Sequence, residues 1–192
     1  MIPYKDHIRT KRFPFMTILL IATNVAVFGY QLLLPAAQEM RFVYSYAVIP
    51  LEFKLGGNVP GSPGLPPILT IFTAMFLHGG WLHLIGNMLY LAIFGDNIED
   101  RMGPFRFLIF YIMCGVVATL VQIYGDFRSE IPALGASGAI AGVLAAYLRL
   151  YPKAKVAVLV PILYFLRSII LPAWLVLGLW FLLQILEAHL SP

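Results

Sequence analysis

The stretch Gly135-Ala-Ser-Gly-Ala-Ile-Ala-Gly-Val-Leu-Ala-Ala-Tyr-Leu-Arg149 is an apolar run with a single hydroxyl near its start. A proline-containing loop leads into the run, and we predict a short membrane helix that begins at about Ser137. Such a serine lies among unpaired N–H groups at the positive end of the helix dipole. It could attack a carbonyl while its own N–H stabilises the oxyanion. The alternative is that Gly138-x-x-x-Gly142 is only a helix-packing face and the hydroxyl is a spacer.

The composition of the whole chain is that of a membrane protein. Of its 192 residues, 60% are hydrophobic and 11% are charged, and the mean hydropathy is +0.85. A soluble domain of this size must present a polar exterior to water, which excludes so apolar a composition. One cysteine, Cys114, excludes a disulfide framework and a cysteine-based metal site. The net charge of +4 does not indicate nucleic-acid binding, because the basic residues flank hydrophobic segments as topology signals do.

We predict an all-α polytopic membrane protein with five spans. A polar, basic cytoplasmic segment, residues 1–13, precedes one membrane domain, residues 14–192. The longer apolar runs exceed the ~18 residues that mark a membrane-spanning helix. The predicted spans are 14–34, 81–98, 105–124, 137–151 and 169–187.

Three further segments are apolar without being spans. The connection 35–67 is rich in proline and glycine but also in aromatic residues, so part of it is expected in the membrane interface. His78-Gly-Gly-Trp81 interrupts the next apolar run, so 68–77 is predicted to be a re-entrant or interfacial approach to the second span. Residues 156–166 contain a proline and are predicted to be an interfacial segment.

The basic residues predict the orientation of the spans. With the N-terminus inside, ten of them fall on the inner side and three on the outer side, in agreement with the positive-inside rule. The second and fourth spans then enter from the outside. The rise from Ser137 to Arg149 is ~18 Å, which places the serine ~10 Å below the surface of a ~30 Å hydrocarbon core. The inner residues are Lys5, Arg9, Lys11, Arg12, Arg101, Arg106, Arg149, Lys153, Lys155 and Arg167, and the outer ones are Arg41, Lys54 and Arg128.

Two polar side chains in the second predicted span, His83 and Asn87, are four residues apart and therefore share one face of the helix. Ionisable and amide groups inside a span are expensive and are candidates for function. The alternative is that they only form hydrogen bonds between helices. Because they lie at the same predicted depth as Ser137, we favour a site in which both donate to an oxyanion.

Four stretches, in this order and spacing, carry a resemblance to a known family: Phe76-Leu-His-Gly-Gly-Trp-Leu-His-Leu-Ile-Gly-Asn87, Phe94-Gly-Asp-Asn-Ile-Glu-Asp-Arg-Met-Gly103, Gly135-Ala-Ser-Gly138 and Trp180-Phe-Leu-Leu-Gln184. The chain resembles the rhomboid intramembrane serine proteases from about residue 68 to its end. The resemblance implies a rhomboid-like bundle of six spans in a membrane, here expected to be a prokaryotic cell membrane with the N-terminus in the cytoplasm.

The resemblance also implies roles for individual residues. Ser137 would be the nucleophile, and His83, Asn87 and the serine N–H would hold the oxyanion. The implied substrates are single-pass membrane proteins, cleaved within their transmembrane segments near the outer surface. No metal, other cofactor or nucleic acid is implied.

Other matched positions are structural by resemblance. His78 would be an additional histidine at the mouth of the site. Glu99 and Arg101 would brace an inner loop. Gly138 and Gly142 would let the serine helix pack tightly.

The sequence departs from the family pattern at its end. The family places its general base on a sixth span, in an Ala-His-x-Gly-Gly-like motif, whereas Ala188-His189 is followed here by Leu190-Ser-Pro192. A serine needs its base within ~3 Å, so His189 is a weak candidate, and we expect the sequence to be a fragment that ends one helix early. The open alternatives are an inactive rhomboid-like binder of transmembrane segments and a small channel, which no inverted repeat supports.

Overall fold

The structure, a computed structural model, describes residues 1–59, 64–162 and 165–190, apart from the side chains at 162 and 187–190. The described part is mostly helical. In chain order its elements are strand β1 (Ile2–Asp6), helices α1 (Phe15–Leu33), α2 (Ala36–Tyr46), α3 (Pro50–Leu55) and α4 (Pro67–Thr73), a 3₁₀ turn (Ala74–Phe76), helices α5 (Trp81–Met102), α6 (Pro104–Gly125) and α7 (Ser137–Leu150), strands β2 (Lys155–Ile162) and β3 (Phe165–Pro172), and helix α8 (Ala173–Leu190).

The long helices are compatible with a membrane bundle. Helices α1 and α6 are each long and apolar enough to cross a membrane. Helix α4 with the 3₁₀ turn meets α5 at an angle of 80°, and the pair counts as a third span if it is taken as one broken segment. This bend lies at the predicted interruption between 68–77 and the second span. Among the described residues, length and composition thus support two or three spans, where five were predicted.

Helices α5 and α7 run parallel through the centre of the bundle. Near their first residues, the loop before α7 contacts His83 of α5. Farther along, the rings of Phe94 and Tyr147 meet edge to face with centroids 4.8 Å apart. The two helices therefore begin at the same end of the molecule, as the predicted topology requires.

Helix α7 packs against α6 through its glycines. A Cβ built at Gly138 would lie 2.5 Å from the Ala118 Cβ, and one at Gly142 would lie 2.5 Å from the Cys114 Cβ. Real Cβ atoms do not approach so closely, and only glycine permits this separation of the helix axes. The predicted packing role of both glycines is confirmed.

A three-stranded antiparallel sheet, in the order β1-β2-β3, corrects the prediction of an all-α chain. In the segment 156–166, predicted to be interfacial, residues 156–162 belong to β2 and residues 165–166 begin β3, while 163 and 164 lie outside the described residues. Its Val-Ala-Val-Leu-Val run is rich in β-branched residues, which favour a strand. The last helix begins at Ala173 rather than at 169, because the residues before it pair with β2.

Glu99, near the end of α5, caps the start of α1. Its carboxylate accepts hydrogen bonds from the backbone N–H groups of Met16 (2.8 Å) and Thr17 (2.7 Å) and from the Thr17 hydroxyl (2.7 Å). A negative group at a helix N-terminus satisfies unpaired donors and opposes the helix dipole. The contact gives Glu99 a structural role, as the resemblance implies.

Candidate active site

Ser137 is the first residue of α7, so the predicted start of this helix is confirmed. The N–H of Ile140 bonds the carbonyl of Ala136 at 3.0 Å, which closes the first turn. The N–H of Ser137 comes before that bond and is one of the donors that a helix leaves without an internal partner. The half-buried serine therefore lies beside a donor at the positive end of the helix dipole.

The loop that delivers Ser137 is held on two sides by its backbone. Ala133 and Val48 form an antiparallel bridge with hydrogen bonds of 3.0 and 2.7 Å. The N–H of Gly135 then donates to the carbonyl of Ala74 in the 3₁₀ turn, at 2.8 Å. The position of the serine is thus fixed by the segments before α3 and before α5, and not by α7 alone.

Gly135 brings this loop against the two polar residues of α5. Its φ is +121°, a left-handed conformation that side chains with a Cβ rarely adopt. A Cβ built there would lie 2.7 Å from the His83 Nε2 and 3.9 Å from the Asn87 Nδ2. The structure therefore places His83 and Asn87 next to the loop at Gly135, two residues before Ser137.

The buried His78 orients Asn87. The Asn87 Nδ2 lies 3.1 Å from the His78 Nε2, and because an amide nitrogen only donates, the imidazole nitrogen must accept. With the Asn87 amide in this orientation, the His78 proton is on Nδ1, which is buried and has no hydrogen-bond partner among the described residues. One N–H of the Asn87 amide is used in this way, and the second can donate to another acceptor. The His78 and His83 rings meet edge to face with centroids 5.0 Å apart.

Gln31, in the last turn of the apolar helix α1, supports this arrangement and was missed by the sequence analysis. Its amide oxygen accepts from the His78 N–H at 3.2 Å, and its amide nitrogen donates to the His78 carbonyl at 3.2 Å. Gln31 is only 1% exposed. An amide inside the first predicted span was the signal that could have found it.

A cavity of about 100 Å³ lies beside Ser137, enough for several water molecules. Thr119 and Gln122 give its wall two polar side chains, and the remaining lining is mainly small or apolar. Among the described residues, no titratable side chain lines the cavity, and no three His, Cys, Asp or Glu are grouped as a metal site requires. The side chain of His189, the weak candidate for a base, lies outside the described part of the chain.

Comparison with known proteins identifies the family. The Rhomboid domain family model matches residues 67–192. RHOMBOID-like protein 5 of Arabidopsis thaliana is 37% identical over 78 residues, which are 41% of this chain and 25% of that protein. Rhomboid protein 1, mitochondrial, of Saccharomyces cerevisiae is 28% identical over 145 residues, which are 73% of this chain and 38% of that protein. Presenilin-associated rhomboid-like protein A, mitochondrial, of Danio rerio is 36% identical over 104 residues, 53% of this chain and 26% of that protein.

The chain spans between 25% and 38% of the length of these three relatives. All three come from eukaryotes, and two are named as mitochondrial, so they give no support to the expected prokaryotic cell membrane. The family itself is established by the match to more than half of the sequence, which includes the His83, Asn87 and Ser137 stretches. The chain belongs to the rhomboid family.

Proposed function

We propose that this protein is an intramembrane serine endopeptidase that cleaves transmembrane segments of other membrane proteins near the outer surface. The observation that carries the proposal is the meeting of α5 and α7. Ser137 begins α7 directly after a loop whose Gly135 contacts His83 and lies close to Asn87. One end of two parallel helices thereby carries a hydroxyl, a helix N–H without an intrahelical partner, an amide and an imidazole.

The geometry supports the following roles for the residues of the site. The Ser137 Oγ attacks a substrate carbonyl carbon, and the oxygen of that carbonyl becomes an oxyanion. The serine N–H and the second N–H of Asn87 donate to it, with His83 beside them. These donors are positioned before the reaction, which is the condition for a large electrostatic contribution. We assign no general base among the described residues. The family resemblance implies that the base lies on a sixth span.

The cavity next to Ser137 supports hydrolysis. An acyl-enzyme must be released by water, and the hydroxyl of Thr119 and the amide of Gln122 make the cavity wall partly polar. A substrate helix must unwind locally, because helical hydrogen bonds hide its carbonyls from attack. We therefore expect preferred substrates to carry small or helix-breaking residues near the cleavage site.

Labelling with a fluorophosphonate tests the nucleophile. In membranes containing the natural gene product, we expect the probe to modify Ser137 and to leave the Ser137→Ala variant unlabelled. Ser45→Ala is the matched control, because Ser45 is a half-buried serine whose hydroxyl donates a local hydrogen bond to the carbonyl of Arg41. Cleavage of a model transmembrane substrate by the Ser137→Ala variant would contradict the proposal.

The second candidate is a rhomboid-like protein that binds transmembrane segments without cleaving them. Its support is that no titratable side chain lines the cavity beside Ser137 in the part of the chain that the structure describes. A binder would retain a transmembrane peptide in co-purification but would show no labelling of Ser137. Labelling at this serine excludes a purely binding role.

A further inference from the structure

The sheet has one face toward the protein core and one face away from it. Side chains opposite each other on paired strands share a face, and neighbours along a strand point to opposite faces. Val156 and Val158 of the central strand are fully buried and define the inner face. The register places Ile2, Leu159 and Ser168 in one row of the other face. We define the outer sheet face as Ile2, Tyr4, Pro161, Leu166, Ser168 and Ile170. The register also places Lys5 and Lys155 on this side of the sheet, whereas Arg167 pairs with Val160 and lies on the other side.

The outer sheet face is apolar and open. Ile2, Leu166 and Ile170 are 52%, 67% and 58% exposed. The two hydroxyl groups on this face, of Tyr4 and Ser168, lie 2.7 Å apart and form a hydrogen bond with each other. The uncharged part of this side of the sheet is therefore poorly adapted to water.

The hairpin tip, defined as Pro161, Phe165 and Leu166, is apolar on both faces. Phe165 and Leu166 are consecutive in β3 and so point in opposite directions, yet they are 73% and 67% exposed. A surface sheet in water has one apolar and one polar face, and its edge strand is protected by charges. A tip with apolar groups on both sides fits a medium that is apolar all around it.

The charges of the sheet are basic. Lys5, Lys155 and Arg167 are exposed. The one acidic residue of the strands, Asp6, is buried, and its carboxylate accepts hydrogen bonds from Tyr147 at 2.7 Å and Asn97 at 3.0 Å. The described strands therefore present an apolar surface with cationic side chains and no exposed carboxylate, which is complementary to anionic lipid headgroups.

The sheet lies between two helices of the bundle in the chain. Strand β2 follows α7 after four residues, and α8 begins directly after β3. Trp174, in the first turn of α8, is 60% exposed. Tryptophan concentrates at the depth of the headgroups in membrane proteins.

We propose that the outer sheet face and hairpin tip lie in the bilayer leaflet at the end of the bundle where α7 ends. Lys5, Lys155 and Arg167 bind the phosphates of anionic phospholipids there. Phe165 and Leu166 enter the boundary between headgroups and acyl chains. The apolar strands are thus covered by lipid and not by another protein. This inference stands whether or not Ser137 is a nucleophile.

Depth measurement tests the apolar part. In a Cys114→Ala background, the full chain carries a fluorophore at Leu166→Cys and is reconstituted in vesicles of phosphatidylcholine and phosphatidylglycerol. We expect quenching by spin-labelled lipid and protection from aqueous iodide. Lys11→Cys is the matched control, because Lys11 is an exposed residue of the polar N-terminal segment, and it should show the reverse. Equal iodide quenching at the two sites would overturn the proposal, as would self-quenching that shows a second copy on this face.

Lipid selectivity tests the charged part without a fluorophore. Native mass spectrometry compares the phosphatidylglycerol and phosphatidylcholine retained by the full chain. We expect the wild-type protein to prefer phosphatidylglycerol, and Arg167→Gln to reduce that preference by about five-fold, the effect of one basic residue at an anionic surface. Arg128→Gln, outside the sheet, should leave it unchanged. Equal retention of both lipids by the wild-type protein would overturn the assignment of the basic residues.

Discussion

The two ends of the parallel helices α5 and α7 use polar groups in opposite ways. At the Ser137 end, the helix begins with an N–H outside the first-turn hydrogen bond, and the Asn87 amide has a second N–H to donate. At the other end, the Asp6 carboxylate accepts from both Tyr147 and Asn97. Under the proposed function, the first end, here called the open end, keeps donors available for a charge that forms during a reaction. The second, here called the closed end, uses its donors to join the sheet to the bundle.

The largest effect is expected from Gly135→Ala at the open end. The new Cβ would meet the His83 ring at 2.7 Å, and the φ of +121° would be strained in addition. Displacing a catalytic group by about 1 Å can lower a rate by about 10²-fold, and we expect a loss of this size in the labelling rate of Ser137. Gly57→Ala is the control, because a Cβ there meets nothing within 4 Å. An unchanged labelling rate in Gly135→Ala would show that His83 is not needed beside the serine.

A smaller effect at the same end is expected from Gln31→Leu. This change removes both hydrogen bonds to the His78 backbone and leaves a buried N–H and carbonyl unpaired, a loss of ~1–3 kcal/mol for each group. Since His78 orients Asn87, the turnover number should fall by about ten-fold for ~1.4 kcal/mol of lost transition-state stabilisation, with little change in KM.

The control for Gln31→Leu lies on the same helix. Thr23→Ala removes a hydroxyl that bonds only the carbonyl of Leu19 one turn earlier, so neither rate nor stability should change much. If Gln31→Leu lowers the unfolding temperature but leaves the turnover number unaltered, Gln31 stabilises the loop without positioning Asn87.

The open end was easier to predict than the closed end, for physical reasons. The small residues around Ser137, the four-residue spacing of His83 and Asn87, and the glycine break before Trp81 are local patterns, and helices in lipid must satisfy their own backbone. The sheet depends on pairing residues 2–6 with 156–159, and such distant pairing leaves no local pattern. Strands β2 and β3 are also rich in apolar residues, as the neighbouring spans are. Gln31 escaped notice because its partner is the backbone of His78, which no sequence motif records.

The smallest effect is expected at the closed end, from the titration of Asp6. Burial raises the pKa of its carboxyl above the ordinary value of 3.8, although hydrogen bonds from Tyr147 and Asn97 act in the opposite direction. The folded protein therefore binds a proton more tightly than the unfolded chain. The resulting stabilisation is complete below pH 3.8 and is lost as the pH rises through the raised pKa.

Unfolding temperatures of the full chain across this pH range measure the contribution of Asp6. We expect the wild-type protein to lose stability with rising pH relative to Asp6→Asn, whose amide oxygen can still accept from Tyr147 and Asn97 but does not titrate. The difference between the two curves measures how strongly folding is linked to the protonation of Asp6. Parallel curves for the two proteins would mean that the carboxylate is already fully stabilised by its two donors. Hydrogen bonds would then satisfy the Asp6 carboxylate, as they satisfy the Glu99 carboxylate at the start of α1. The contrast with the Ser137 end would be sharper.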